Sequence, residues 1–330
     1  MGIVTWSMFL LFVTVAIAVD LGVFHRTARA PTTRDAVFWT VVWFLTAMAF
    51  LGVVFVLYEA AASAALTGGP AIADGREATA LFFTGYILEK SLSVDNLFVI
   101  AMIFSYFSIP LERQHRLLFW GLLGAIVLRG AMIAAGAALI LLFDWVVYIF
   151  GALLLVSAYK MLNSDEGRFD PESNWVVRGL RRVMPVSSDN SDGRFFRKES
   201  GRIVATPMLL ALVLIETTDV LFAIDSVPAV FVVTRDPFLV FTSNIFAILG
   251  LRSMYFVLAV MLNKFHHLKI SLVFVLALVG GKMLLSHYIW IPQPIMLTVI
   301  GLVLAAGVAA SLVPVRGKGD QVAPASVDDG

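Results

Sequence analysis

The chain has 330 residues, of which 60% are hydrophobic and only 14% are charged, and its formal net charge is +1. The average soluble domain carries roughly 25% charged residues, so this composition indicates an integral membrane protein, and the balanced charge gives no sign of a nucleic-acid partner. Because the chain has no cysteine, disulfides, thiolate zinc sites and iron–sulfur clusters are excluded, and oxygen and nitrogen remain as metal ligands.

Nine apolar runs follow one another along the chain, and a helix needs about 20 apolar residues to cross a bilayer. The first run has no basic segment before it, which favours a retained helix over a cleaved signal peptide. The pattern predicts an all-α polytopic membrane protein with about nine transmembrane helices. The runs are 5–24, 36–58, 79–106, 116–142, 145–163, 206–233, 238–262, 269–289 and 294–313.

Basic residues are concentrated in every second connection between these runs. The long connection 164–205 carries eight of them, whereas the short connection 290–293 carries none. Since cytoplasmic connections of membrane proteins are enriched in lysine and arginine, we expect the N-terminus outside and the C-terminus in the cytoplasm.

The connection 164–205 also contains two local patterns. Residues 175–183 place apolar side chains among arginines, which predicts a short basic helix on the anionic cytoplasmic surface. Residues 194–204, with Ser200 and Gly201 in the middle, predict a β-hairpin. The polar tail 314–330 is predicted to be disordered.

Two of the apolar runs contain carboxylates six residues apart. Glu89 and Asp95 lie in the third run, and Asp219 and Asp225 lie in the sixth. An ionised carboxylate in hydrocarbon is retained where it faces a partner, water or a bound ion. Residues six apart on a regular helix are separated by about 120° around the axis, so either the helix opens between the acids or each acid faces a different partner. Pro228, which lacks a backbone N–H, favours opening of the sixth helix.

An acid, an arginine and a lysine recur in the same order in helices three to five and in helices six to eight. They are Asp95, Arg129 and Lys160 in the first unit, and Asp225, Arg252 and Lys282 in the second. Because each unit has an odd number of helices, the second is predicted to be inverted relative to the first, as in many transporters whose site lies at the repeat interface.

The predicted organisation is therefore a single transmembrane transporter domain over residues 1–330. Its parts are two extra helices (5–75), a first repeat (76–163), a cytoplasmic loop (164–205), a second repeat (206–290), a ninth helix (291–313) and the tail (314–330).

The acidic segments offer the oxygen ligands that hard divalent cations such as Mn²⁺, Mg²⁺ and Ca²⁺ take. We predict a central metal site of four acids with two neutral oxygens beside them. Its residues are Asp95, Asp225, Glu216 and Asp219, with Asn96 and Ser226. Glu89 is either a further ligand or the partner of Lys90 or Lys282.

The other ionisable residues inside the spans are predicted to compensate charge or to gate the site. Asp20 is a candidate gate or proton carrier, and the remaining candidates are counter-charges: Lys90, Arg129, Lys160, Arg252 and Lys282. The alternative is an internal salt-bridge network that only fixes helix packing. With six acids and five bases the spans hold about −1, and a divalent ion would make this +1, which a low-dielectric site resists. Metal loading is therefore predicted to release a proton or to displace a lysine, as in proton antiport.

The segments Glu89 to Asn96 and Glu216 to Ala229 resemble the two motifs of the TerC/Alx family of bacterial integral membrane proteins, and the resemblance covers about residues 5–313. The resemblance implies tellurium resistance, manganese export, a place in the bacterial inner membrane, and kinship with exporters built from three-helix repeats. Tellurite is an anion, however, and buried acids do not suit an anion site.

Three functions remain open from the sequence. The first is a divalent cation exporter, most simply for Mn²⁺, with protons as the counter-ion. The second is a membrane scaffold whose membrane or secretion-associated partner proteins confer tellurite resistance or metalate secreted enzymes, and the third is an amino-acid exporter. No catalytic constellation or cofactor motif is present, so we expect neither an enzyme nor a resident cofactor.

Overall fold

The computed structural model describes residues 2–24, 32–64, 74–143, 145–163, 175–187, 194–199, 202–261, 268–285 and 293–312. These residues form eleven helices and one two-stranded sheet. The helices are α1 (Ile3–Phe24), α2 (Thr33–Ala64), α3 (Gly75–Tyr106), α4 (Leu111–Leu142), α5 (Val146–Asn163), α6 (Trp175–Val183), α7 (Pro207–Val233), α8 (Pro237–Leu249), α9 (Leu251–Met261), α10 (Leu268–Leu285) and α11 (Gln293–Leu312). The strands are β1 (Phe196–Glu199) and β2 (Arg202–Ala205).

Each of the nine predicted apolar runs coincides with a helix, and the seventh run is divided into α8 and α9. By length and apolarity, four described helices qualify as membrane spans, namely α2, α4, α5 and α7. The pair α8 and α9, bent by 40° at Gly250, makes a fifth if it is counted as one span. The chain is thus a helical polytopic membrane protein. Helix α3 is as long as α4 but carries Glu89, Lys90 and Asp95 in its middle, which lowers its apolarity.

The connection between α5 and α7 has the two predicted local structures. Helix α6 occupies residues 175–183 and packs on α7, with Val177 buried and Arg178 exposed. Strands β1 and β2 pair antiparallel, with Phe196 opposite Ala205. The helix and the hairpin are therefore confirmed. The tail 314–330 lies outside the described residues.

Three helices that contribute residues to the buried polar region begin at capping residues. The Asp74 carboxylate accepts a hydrogen bond from a backbone N–H in the first turn of α3 (2.8 Å). Thr206 and Asp236 cap α7 and α8 in the same way. Pro207 and Pro237 follow these caps, where the missing N–H is not needed. Local sequence thus determines where α3, α7 and α8 start, and so the depth of their polar residues.

The expected opening of the sixth span at Pro228 is wrong. Helix α7 is continuous from Pro207 to Val233, and the residues around Pro228 are buried against neighbouring helices. Such packing allows a membrane helix to accommodate a proline. The interruption occurs instead in the next span, at Gly250.

Helices α5 and α10 contact each other through two glycines. A Cβ added at Gly280 would lie 2.8 Å from the carbonyl oxygen of Gly151, and one added at Gly151 would lie 3.0 Å from the carbonyl oxygen of Gly280. Small residues allow membrane helices to approach closely, so the two backbones touch here. Helix α3 lies between α2, α7 and α8, which places its acidic segment inside the bundle.

Candidate ion site

Arg129, a buried residue of α4, links carboxylates from two neighbouring helices. It donates from Nε to Oδ2 of Asp219 (3.0 Å) and from Nη2 to Oδ1 of the same residue (2.8 Å). It also donates from Nη1 to Oε1 of Glu89, and the Oδ1 of Asn244 lies 3.5 Å from the same nitrogen. Because one guanidinium serves two carboxylates, the triad of Glu89, Arg129 and Asp219 keeps one net negative charge when both acids are ionised.

The partner of Glu89 is thus Arg129 and neither of the two lysines considered from the sequence. Lys90 instead donates from Nζ to the backbone carbonyl of Ala247 (3.1 Å), in the last turn of α8. A positive charge at a helix C-terminus interacts favourably with the helix dipole. Lys90 therefore stabilises the end of α8 just before the bend at Gly250.

A cavity of about 270 Å³ lies beside the triad, and we name it the Asp225 cavity. Its polar lining comes from α3, α5 and α7. These residues are Glu89, Asn96, Ser157, Lys160, Asp225 and Ser226. The Ser157 hydroxyl donates to Oδ1 of Asp225, and within the described ranges Asp225 takes part in no ion pair. The cavity therefore contains an acid that has a hydroxyl partner and a lysine on the same wall.

A second, smaller cavity of about 40 Å³ lies against the other side of the triad, and we name it the Asp219 cavity. Its wall is mostly apolar, with polar groups from Asn96, Thr218, Asp219 and Arg252. Arg252 is 2% exposed. Both carboxylate oxygens of Asp219 already accept hydrogen bonds from Arg129, so this acid is held in place.

Asp219 and Asp225 therefore face different surroundings. This is the second of the two alternatives that the six-residue spacing allowed: the helix stays regular, and each acid has its own partners. For the pair on α3 the comparison covers Glu89 alone, because the side chain of Asp95 lies outside the described residues. The side chain of Asp20 on α1 lies outside them as well.

Glu216 lines neither cavity. It is half-buried on α7 beside Gly124 of α4, and a Cβ added at Gly124 would overlap its carboxylate. Its Oε2 has no hydrogen-bond partner among the described residues. The absence of a side chain at position 124 is what gives Glu216 its space.

The structure groups some predicted ligands and separates others. Glu89, Asn96, Asp225 and Ser226 share the Asp225 cavity, whereas Asp219 and Glu216 lie elsewhere. Across the described ranges, no three histidine or acidic side chains form a group that could hold a metal ion. Lys160 is exposed at the Asp225 cavity, and Lys282 is half-buried on α10.

Three contributors were missed from the sequence: Ser157, Asn244 and Gly124. Ser157 lies one turn before Lys160 on α5, and Asn244 follows two other polar residues in an otherwise apolar run. Both were therefore detectable as polar interruptions at helical spacing. Gly124 gave no such signal, because its role depends on which helix packs against it.

Comparison with known proteins gives consistent matches. The model of the family described as the integral membrane protein TerC family matches residues 74–318. An uncharacterised membrane protein of Myxococcus xanthus is 45% identical over 312 residues, covering 94% of this chain and 92% of that protein. Alx of Escherichia coli K12, provisionally named a membrane-bound redox modulator, is 43% identical over 296 residues, covering 89% of this chain and 90% of Alx. An uncharacterised membrane protein of Rickettsia bellii is 33% identical over 309 residues, covering 94% and 97%. No solved structure matches the chain.

Proposed function

Because the chain belongs to the TerC family of integral membrane proteins, we propose that it exports a divalent metal cation, in the first place Mn²⁺, across the bacterial inner membrane in exchange for protons. It acts as a transporter and not as an enzyme. The acidic Asp225 cavity inside the helical bundle is the observation that carries this proposal.

The lining of the Asp225 cavity suits a hard divalent ion. It offers carboxylate oxygens from Glu89 and Asp225, an amide oxygen from Asn96, and hydroxyls from Ser157 and Ser226, which are the ligand types that Mn²⁺, Mg²⁺ and Ca²⁺ take. Asp95 remains a proposed ligand from the same turn of α3 as Asn96. Mn²⁺ is favoured over the other two ions by family resemblance alone.

Charge balance supports exchange with protons. The triad around Arg129 keeps one negative charge and Asp225 adds a second, while the Lys160 ammonium stands at the same cavity. With this lysine present, binding of a divalent ion would give the site a net positive charge, which a low-dielectric environment disfavours. Ion entry should therefore displace Lys160 or release a proton, and proton return would eject the ion.

The direction of α3 and α7 supports an inverted repeat. Along α3, residues of the Asp225 cavity precede those of the Asp219 cavity, for example Glu89 before Ile100; along α7 they follow, as Asp225 follows Ile215. The two helices therefore pass the site in opposite directions, as inversion of the second unit requires. Nine spans with the C-terminus in the cytoplasm complete the proposed architecture.

The provisional name of the Alx relatives points to another role, redox modulation. The 330 residues contain no cysteine, so thiol–disulfide exchange by this chain does not offer a route to that role. An effect on cellular redox balance could instead follow from the movement of a redox-active metal such as manganese, which the same cavity would carry.

Transport by purified protein in proteoliposomes tests the proposal. We expect the wild type to move Mn²⁺ at a rate that depends on an imposed pH gradient, and Asp225→Asn to abolish this movement while the protein remains folded. Asp35→Asn, which neutralises an exposed carboxylate in the first turn of α2, is the matched control and should transport normally.

Three results would contradict the proposal. Folded wild-type protein that moves no divalent ion would favour a scaffold. Competition by basic amino acids would favour an amino-acid exporter. Manganese transport at a rate that does not depend on the pH gradient would support the proposed substrate but exclude exchange with protons.

A further inference from the structure

The two cavities share two lining residues, Asn96 of α3 and Phe222 of α7. They are displaced from each other along the helices. Thr218 of the Asp219 cavity lies seven residues before Asp225, which corresponds to about 10 Å along a helix axis. The cavities therefore lie at different depths, with Asn96 and Phe222 between them.

A surface groove near the connection 164–205, which we call the basic loop, indicates toward which end of the bundle each cavity lies. That groove is lined by Tyr106 at the end of α3 and Pro207 at the start of α7. The Asp219 cavity is lined by Ile100 and Ile215, six and eight residues from these helix ends. The Asp219 cavity is thus the one nearer to the basic loop, and the Asp225 cavity is the more distant one.

The Arg129 triad also separates the cavities, because Glu89 lines the Asp225 cavity and Asp219 lines the Asp219 cavity, and its ion pairs join α3, α4 and α7. Opening the wall there would separate buried opposite charges, which is costly. Phe222 has no polar group to hold it, and its side chain is partly exposed to the cavities. A rotamer change of this ring would open the wall without breaking an ion pair.

Asn96 adds a polar atom at the same position. It is 5% exposed, and its Oδ1 has no hydrogen-bond partner among the described residues. A buried carbonyl-type oxygen without a partner is unfavourable, and a cation passing between the cavities would supply the missing interaction. As a neutral oxygen, Asn96 would bind such an ion without holding it strongly.

We infer that the two cavities are the two halves of one pathway, that the Phe222 ring is the gate between them, and that Asn96 is the oxygen that meets the ion there. The inference rests on the proposed function for the identity of the passing cation. The position of the barrier does not depend on it.

The absence of cysteine permits a test that needs no transport. Met161→Cys places the chain's single thiol at the Asp225 cavity, and vesicles of either orientation are treated with a small membrane-impermeant thiol reagent. With Phe222 present, we expect labelling only from the side of the membrane opposite the basic loop. Adding Phe222→Ala should permit labelling from the other side as well. Leu221→Ala is the matched control, because Leu221 is the neighbouring residue and its side chain is 57% exposed on the outer surface of the bundle; it should leave the labelling one-sided.

Labelling from both sides with Phe222 present, or one-sided labelling that persists in Phe222→Ala, would overturn the inference. In the flux assay, Phe222→Ala should make manganese movement insensitive to the pH gradient, whereas Asn96→Ala should slow movement and leave labelling one-sided. If wild-type protein moves no metal but the labelling changes as expected, the proposed substrate fails and the gate stands. Thermal unfolding of each variant excludes a general loss of structure.

Discussion

At the scale of single residues, Arg129 determines the charge balance of the site. Its buried guanidinium forms ion pairs with both Glu89 and Asp219. A buried ion pair adds little net stability when intact, but removal of one partner leaves the other charge uncompensated. The two acids of the triad therefore depend on Arg129 more than Arg129 depends on either of them.

Replacement of Arg129 should accordingly destabilise the protein. We expect Arg129→Met to lower the free energy of unfolding by about 3–5 kcal/mol, because it leaves the buried Glu89 carboxylate and the largely buried Asp219 carboxylate without their ion-pair partner. Thermal unfolding in detergent measures the effect. The exposed Arg178 of α6 provides a control, since Arg178→Met removes the same charge at the surface. Equal stability of the two variants would show that the triad does not hold the fold together.

At the scale of helices, the site depends on how closely α4 and α7 approach. Gly124 leaves the space that the Glu216 carboxylate occupies, just as Gly250 leaves space for the Lys90 ammonium and the ring of Trp43 at the bend between α8 and α9. In both places a charged side chain of one helix meets bare backbone of another. The bend then places Arg252, two residues later, at the Asp219 cavity.

A methyl group at position 124 should disturb this contact. We expect Gly124→Ala to cost about 1–3 kcal/mol of stability, as overpacking of a filled interior does, and to be rescued by the second change Glu216→Ala. Gly281→Ala is the control, because nothing lies within 4 Å of a Cβ at that helical position. Thermal unfolding of the three variants measures the effect. If Gly281→Ala destabilises the protein as much as Gly124→Ala does, the cost reflects loss of a glycine in general and not the contact with Glu216.

At the scale of the whole molecule, basic charge is concentrated at one end. The described parts of the connection 164–205 carry Arg178, Arg181, Arg182, Arg194, Arg197, Lys198 and Arg202. Helices α3 and α8 begin at the opposite end of the bundle, where their first turns are capped by acids, Asp74 and Asp236. This asymmetry predicts that the hairpin end is cytoplasmic.

Two single cysteines test that orientation. Lys198 in β1 and Arg76 in the first turn of α3 are both exposed, and replacing either removes one positive charge. In intact cells, Arg76→Cys should react with a membrane-impermeant thiol reagent, while Lys198→Cys should react only after the membrane is permeabilised. The reverse pattern would overturn the proposed orientation, and with it the direction of export.

Much of this architecture was predictable from the sequence because it depends on local properties. Apolar run length locates the helices, and the residue pair Ser200-Gly201 between two short segments predicts the hairpin. Two features were not predictable: the bend at Gly250 and the continuity of α7 at Pro228. Both depend on what packs around the helix, as the Lys90 contact at the bend shows.

The candidate site was likewise predictable from the sequence only in part. The sequence identified the candidate acids and the six-residue spacing that separates Asp219 from Asp225. It did not identify their partners, because Arg129 lies 90 residues from Asp219 and Ser157 lies 68 residues from Asp225. Such pairings follow from the packing of α4 and α5 against α7.

The contact between Gly151 and Gly280 has a mechanical consequence. These glycines lie on α5 and α10, the last helices of the two proposed three-helix units, and at this contact backbone meets backbone. Side chains of the opposing helix surround both glycines, Met283 and Leu284 at Gly151 and Leu154 and Leu155 at Gly280, so neither position has room for a methyl group. The distance between α5 and α10 is thus fixed at their crossing, and we expect the two helices to move together as one rigid pair in any rearrangement of the bundle.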